Sequence, residues 1–308
     1  MDKLEVYERL REILDEEKIL VNEPMHKHIS FKVGGPADIL VRPTTEEEIK
    51  NLLIYTTKNE IPFIVKGNGS NILIKDGGFR GLVIELSDNF SDFNFQEDVI
   101  EVQSGALLSV IGKEAMGHCL TGFEFASGIP GTLGGALAMN AGAYDGEMKH
   151  VVKSVRLMDM HGNVKEYSNE DMRFGYRHSL LTDERLIAIS AKIQLENGDY
   201  NKIKEKMDDL TNRRRTKQPL EYPSAGSTFK RPTGYYAGKL IQDSDLKGYS
   251  YGGAQVSEKH SGFVINYKDA SAGDIIGLIE HIKLTVYEKH GVKLEEEVKI
   301  LGEEDNKR

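Results

Sequence analysis

The residues best placed to do chemistry in this chain have almost no side chains. The run Gly122–Gly146, GFEFASGIPGTLGGALAMNAGAYDG, is rich in glycine and otherwise small or apolar. Glycine inside a helix or strand lowers stability and adds no packing, so so bare a run is not expected to form an ordinary core element. It offers instead backbone N–H groups that a ligand can approach closely, and such groups bind anions without a charged side chain. A pyrophosphate or the edge of a flavin ring suits that chemistry. Tight turns between buried strands would also use glycine, but a second loop of the same kind, Lys66-Gly67-Asn68-Gly69-Ser70-Asn71, favours a ligand.

Neither loop has a familiar nucleotide-binding spacing. Gly67-Asn68-Gly69 fits G-x-G, but Ile72 stands where a third glycine would be, and no G-K-[ST] follows a glycine run anywhere. The simplest ligand is then a dinucleotide held between two small lobes by two backbone loops facing each other. No metal is expected, because the nine histidines show no ligand spacing and His26 and His28 read as surface residues. A single cysteine, Cys119, rules out an internal disulfide and reads as a small buried hydrophobe in a reducing compartment.

The totals restrict the class further. The 308 residues suffice for two or three lobes, and 39% apolar with 29% charged residues describes a globular protein. A net charge of −9 argues against a nucleic-acid partner. No stretch approaches the length of a membrane span, and MDKLEVYERLREILDEEK is too charged for a secretory signal, so a cytoplasmic protein is expected.

The elements that must position the loops follow from periodicity. Leu4, Tyr7, Leu10, Ile13 and Leu14 predict an amphipathic helix over 3–17. Thr45-x-x-Glu48 reads as a capping box opening a helix with Ile49, Leu52 and Leu53 on its core face. Strands are predicted at Ile39–Val41, Phe63–Val65, Ile72–Ile74 and Leu82–Leu86, giving a small α/β lobe. A second lobe combines a strand at Val99–Gln103, a helix at Leu107–Met116, a hairpin of Val151–Met158 and Val164–Tyr167 about His161-Gly162-Asn163, and a strand at Leu186–Leu195. A helix from Tyr200 leads into Arg213-Arg214-Arg215, another spans Ala272–His290 with Ile275, Ile276, Ile279 and Ile282 inward, and a last strand covers Val298–Leu301. The expected division is a helix at 1–19, lobes at 20–86 and 87–199, a third domain at 200–303 and a tail at 304–308.

The order of motifs resembles the UDP-N-acetylenolpyruvoylglucosamine reductase family, bacterial flavoenzymes of peptidoglycan precursor synthesis. The matching stretches are VGGPAD (33–38), GNGSN (67–71), GIPGTLGGALAMNAGAYDGE (128–147), FGYRHS (174–179), PSAGSTFKRP (223–232), AGKLIQD (237–243) and LEEEVKILG (294–302), in register over nearly the whole chain. The resemblance implies an α+β protein. Its parts would be a two-lobed FAD-binding domain of the vanillyl-alcohol oxidase / p-cresol methylhydroxylase type and an α+β C-terminal substrate-binding domain. FAD would be clasped by Gly67, Asn68, Gly69, Ser70 and Asn71 together with Gly128, Ile129, Pro130, Gly131, Gly134, Gly135, Asn140, Ala141, Gly142 and Ala143. Gly69-Ser70-Asn71 offers no histidine for covalent attachment, so the FAD is expected to dissociate.

The reaction implied passes a hydride from NADPH through FAD to the enolpyruvyl group of UDP-N-acetylglucosamine enolpyruvate, giving UDP-N-acetylmuramate. Three residues match the family's catalytic groups: Ser227 the proton donor, Arg177 the stabiliser of the developing enolate, and Glu297 a partner on the substrate carboxylate. Ser224 and Thr228 are rival hydroxyls, and Glu295 and Glu296 rival carboxyls. Strand alternation would set Glu297 on the face opposite Val298 and Ile300. Tyr144, Tyr176, Lys217, Arg231 and Gln255 are implied substrate contacts, with Lys217 the diphosphate ligand. The interval from Arg177 to Arg213 leaves no room for the inserted lid of longer relatives, so the chain is similar to the shorter type. The expected partners are the UDP-sugar and NADPH, and a monomer is expected. Another FAD oxidoreductase on the same fold, a sugar or hydroxyacid oxidase, would explain the glycine loops but not the set Arg177, Ser227 and Glu297.

Overall fold

In the computed structural model, which describes residues 2–305, several helices begin at a side chain that satisfies their first N–H groups. Thr45 and Glu48 exchange reciprocal hydrogen bonds, so the helix Glu46–Lys58 opens at its capping box and buries Ile49, Leu52 and Leu53. Ser271 and Asp274 do the same for Ala272–His290, which ends at Gly291 in the left-handed conformation with φ 67°. That helix buries Ile275, Leu278, Ile279, Ile282 and Val286, while the expected core residue Ile276 is half-buried.

Chain packing divides the described residues into two units, each discontinuous in sequence. The first holds the residues up to Val21, Ile39–Asn68 and Gly81–Arg214; the second holds Asn22–Asp38, Gly69–Arg80 and the residues from Arg215 on. The segments 22–38 and 69–80, which local pattern assigns to the first lobe, thus belong with the C-terminal third. Residues 306–308 of the expected tail lie outside the described residues.

The first unit has two cores. One lies under the parallel pair Phe63–Lys66 and Phe79–Glu85, where Ile39, Ile49, Leu52, Leu82 and Ile84 meet Leu10 and Leu14 of the N-terminal segment. The other lies under a five-stranded antiparallel sheet whose order is Val164–Ser168, Val152–Met158, Ile187–Gln194, Val99–Gln103, Phe93–Gln96. The expected hairpin is present, with Gly162 at φ 81° and Asp159 Oδ1 accepting from the His161 and Asn163 N–H groups. In the second unit, Ala272–His290 packs on a three-stranded sheet of Ser250–Tyr251, Ala254–Val256 and Val264–Asn266, and Ile72–Ile74 pairs in parallel with Lys299–Leu301.

Four expectations change. The N-terminal helix covers only Lys3–Leu10; beyond it, turns whose Ile13 and Leu14 N–H groups both donate to the Leu10 carbonyl keep Leu14 buried, so the apolar spacing outlasts the α-helix. The glycine run does contain a helix, Leu133–Ala138. Its glycines serve close approach: a Cβ on Gly134 would stand 3.1 Å from the Ser104 Cβ, and the Gly134 N–H donates to the Ser104 carbonyl at 2.7 Å. Cys119 is exposed, because it takes the left-handed turn (φ 55°) after the helix Leu108–Gly117 while Leu120 turns inward. Lastly, the final strand starts at Lys299 after a bend at Val298, so alternation does not reach Glu297.

Gly67 admits the buried Thr132 side chain so closely that a Cβ there would lie 1.9 Å from the Thr132 Oγ1. Gly67→Ala should destabilise the protein by about 1–3 kcal/mol. Thr132→Ala in the same chain should restore part of that loss, a coupling that a denaturant-unfolding double-mutant cycle measures directly.

Candidate functional site

In the first unit the glycine loop begins on a buried ion pair. The Lys66 side chain is 1% exposed, meets the Glu85 carboxylate, and donates from Nζ to the Gly67 carbonyl at 2.8 Å. Burial pushes the Lys66 ammonium below its usual pKa, against the opposing pull of Glu85. With its carbonyl captured from below, the Gly67 peptide has one orientation. The glycine run adjoins it through Thr132.

Arg214 is the member of the basic cluster that enters the run. Its guanidinium donates to the Gly128 carbonyl and lies beside the Tyr144 hydroxyl, and its buried Nε has no hydrogen-bond partner among the described residues. Burial lowers its pKa and Tyr144 opposes that shift. Tyr144 and Asp145, at φ 51° and 67°, form the two-residue turn between Gly142–Ala143 and Gly146–Glu147.

Asn140, φ 43°, is buried. Its Nδ2 donates to Glu147 Oε2 at 2.8 Å and to the Gly175 carbonyl at 3.1 Å, and its Oδ1 accepts from the Lys149 N–H at 2.9 Å. Gly175 and His178 close a turn by reciprocal backbone bonds of 3.0 and 3.3 Å. Tyr176 and Arg177 occupy its tip, with Arg177 at φ 53° and its guanidinium 5.2 Å from the Tyr176 ring centre. Ser179, fully buried, donates to the Ala138 carbonyl and fixes the far side of the turn.

The second unit brings together Asn71, Ser227 and Glu297. The Thr228 N–H donates to Gly262, the Glu297 N–H donates to Thr228, and the Lys230 N–H donates to Glu295, so 227–230 runs antiparallel beside 295–297. Asn71 Nδ2 donates to the Glu297 carbonyl at 3.0 Å, and the Asn71 carbonyl accepts from the Lys299 N–H at 3.0 Å. The rivals separate on contacts. Thr228 is buried with its Oγ1 accepting from the Val264 N–H, whereas Ser227 is half-buried behind Gly226, where a Cβ would meet nothing within 4 Å. Glu295 pairs with Lys230. Burial would raise the Glu296 carboxyl, but Lys283, 2.6 Å away, overrides it and holds it below the usual range.

The remaining candidates are spread out. Gln255 is buried and donates to Ser250 Oγ at 3.1 Å; Arg231 lies 3.9 Å over the exposed Tyr236 ring; Lys217 is exposed at the end of the helix Tyr200–Lys217. Nothing in local pattern singles out Lys66, Glu85 or Thr132, nor the buried hydroxyls of Ser104 and Ser190, which have no partner among the described residues. Arg214 carried a signal in the RRR cluster, but the weight fell on Lys217. No group of three His, Cys, Asp or Glu stands in metal-holding geometry among the described residues. No described helix is long and apolar enough to cross a membrane.

Comparison with known proteins adds the family. The model of the UDP-N-acetylenolpyruvoylglucosamine reductase C-terminal domain matches residues 218–301, and that of an FAD binding domain matches 37–168. The UDP-N-acetylenolpyruvoylglucosamine reductase of Clostridioides difficile (strain 630) is 62% identical over 304 residues, covering 99% of this chain and 100% of that one. The crystal structure of UDP-N-acetylenolpyruvylglucosamine reductase from Thermus caldophilus aligns with a TM-score of 0.78 at 33% identity, over 92% of this chain and 97% of that one. Phl p 4.0202, a glucose dehydrogenase, shares the fold alone: TM-score 0.51 and 14% identity over 65% of this chain and 45% of its own.

Two outcomes follow from the contacts of the second unit. Thr228→Val should lower stability by about 1–3 kcal/mol by stranding the Val264 N–H, while Ser227→Ala should stay within about 0.5 kcal/mol; chemical denaturation of both distinguishes them. His260 accepts from the Gly262 N–H through Nδ1, and burial lowers its pKa. The unfolded chain therefore binds the proton first, so stability should fall as pH drops below about 6.5 toward the lower folded value. His260→Gln should flatten that part of a melting-temperature–pH profile.

Proposed function

This chain belongs to the UDP-N-acetylenolpyruvoylglucosamine reductase family, and we propose that it reduces UDP-N-acetylglucosamine enolpyruvate to UDP-N-acetylmuramate at the expense of NADPH, with FAD bound non-covalently. The residues present suit FAD. The hydroxyls of Ser104 and Ser190 and the Arg214 Nε, which have no hydrogen-bond partner among the described residues, are groups that a dinucleotide's polar atoms would satisfy. Gly67, Asn68, Gly128–Gly131, Gly134, Gly135 and Ala141–Ala143 would hold it, with Gly69–Asn71 continuing the first loop; Asn140, expected in the same set, has its side-chain amide spent on protein partners and is left out of it. The chemistry FAD supplies when bound is hydride transfer, from NADPH to the methylene carbon of the enolpyruvyl group.

The protein's own groups manage charge and the proton. Hydride addition at the methylene carbon leaves negative charge on the adjoining carbon and its carboxylate. Arg177, permanently cationic, offsets that charge. Ser227 Oγ–H gives its proton to the carbon beside the carboxylate, which balances the added hydride and completes the saturated product. The resulting alkoxide is a far weaker base than the carbanion it quenches, so the transfer runs downhill. Glu297, protonated, donates a hydrogen bond to the enolised carboxylate. Lys217, Arg231, Gln255, Tyr144 and Tyr176 are proposed substrate contacts.

The observation that carries this reading is the register that lays 227–230 beside 295–297 with Asn71 bonded to Glu297. It supports a shared task for the hydroxyl and the carboxyl that the fold of an unrelated FAD oxidase would not require. Anaerobic stopped-flow mixing tests it. Ser227→Ala should leave flavin reduction by NADPH intact and slow reoxidation by the enolpyruvyl sugar about 10²–10³-fold; equal loss in both half-reactions would refute the role. Acid or heat should release all of the flavin from the purified protein.

A further inference from the structure

We infer that Asn140 is a positioning residue that acts through Arg177, setting where the guanidinium stands. The inference rests on the catalytic role proposed above for Arg177. A buried primary amide has two N–H donors and a carbonyl acceptor, and here all three are engaged: Glu147 Oε2, the Gly175 carbonyl and the Lys149 N–H. Its own N–H goes to the Leu137 carbonyl at 3.3 Å, so neither its side chain nor its amide is left for a ligand.

What the side chain holds is the base of the Arg177 turn. At the tip of that turn Tyr176 is 56% exposed and Arg177 half-buried. His178 ties the turn to Arg173 and Asp183, while Gly175 and Ser179 tie it to Asn140 and the Ala138 carbonyl, at and just past the end of the glycine-run helix. The same amide anchors Glu147, at the foot of the hairpin whose turn carries Tyr144. Asn140 adopts φ 43°, a left-handed conformation that asparagine tolerates better than most residues, so its placement constrains residue type as well as contacts. Displacement of a charged group by about 1 Å can slow a reaction by roughly 10²-fold.

The test is a double-mutant cycle read on the flavin half-reactions of the full-length holoprotein. Asn140→Ala should slow reoxidation by the enolpyruvyl sugar about 10- to 100-fold, leaving reduction by NADPH and flavin content unchanged. In an Arg177→Ala background the same substitution should have no further effect on reoxidation. Should Asn140→Ala fold poorly, Asn140→Asp keeps the acceptor for Lys149, removes both donors, and should show the same pattern. An equal slowing by the Asn140 variants with and without Arg177 would overturn the inference, as would loss of flavin or of the NADPH half-reaction. If Arg177→Ala alone leaves reoxidation untouched, the failure lies with the role proposed for Arg177.

Discussion

Hydrogen bonds at Asn71 organise the second unit. Its carbonyl accepts from the Lys299 N–H and its side-chain amide donates to the Glu297 carbonyl, so the end of the glycine loop is tied both to the last strand and to the residue before its bend that carries the candidate carboxyl. From Glu297 the ladder continues to Thr228 and from Thr228 to Gly262. Parallel strands cannot be joined by a tight turn, and the partners here are 226 residues apart in sequence. The arrangement therefore depends on tertiary pairing throughout.

The first unit solves a related problem with buried polar side chains. A glycine-rich surface has little packing to hold it still, so the groups beneath it must supply direction. Lys66 and Glu85 form an ion pair out of water, with the Lys66 ammonium also fixing the Gly67 carbonyl. Such a pair contributes little net stability, since desolvation offsets most of the Coulomb attraction. Its worth here is orientation. Thr132, Asn140 and Arg214 act on the same principle, each buried or nearly so and each directed at backbone.

Much of the fold was legible in the chain. Capping boxes at Thr45 and Ser271, the Gly291 stop and the Gly162 turn are local chemistry, and the elements they bound formed as read. The motifs also carried the family and the cofactor. What escaped depends on distant partners. The grouping of 22–38 and 69–80 with the C-terminal third is invisible to local pattern because it is made by distant partners: 72–74 pairs with 299–301, and 22–38 bonds to Gly69, Lys75 and Asn266. The helix within the glycine run escaped because low propensity was outweighed by the close packing its glycines permit against Ser104. Cys119 was misjudged on its apolar neighbours, when its backbone conformation decided its exposure. Among the site residues, Arg214 and Asn140 show the limit: composition drew attention to them, but which atoms they hold is a fact of three dimensions.

The pairing of Ile72–Ile74 with Lys299–Leu301 also bears on biogenesis. At translation rates of about 5–20 residues per second, the earlier strand waits on the order of tens of seconds for its mate to emerge from the ribosome. Through that interval the backbone N–H and C=O groups of its edge lack their partner strand, and the adjoining loop lacks the anchor it has in the finished protein. The segment around Ile72–Ile74 can therefore take its final place only once the last strand has been made.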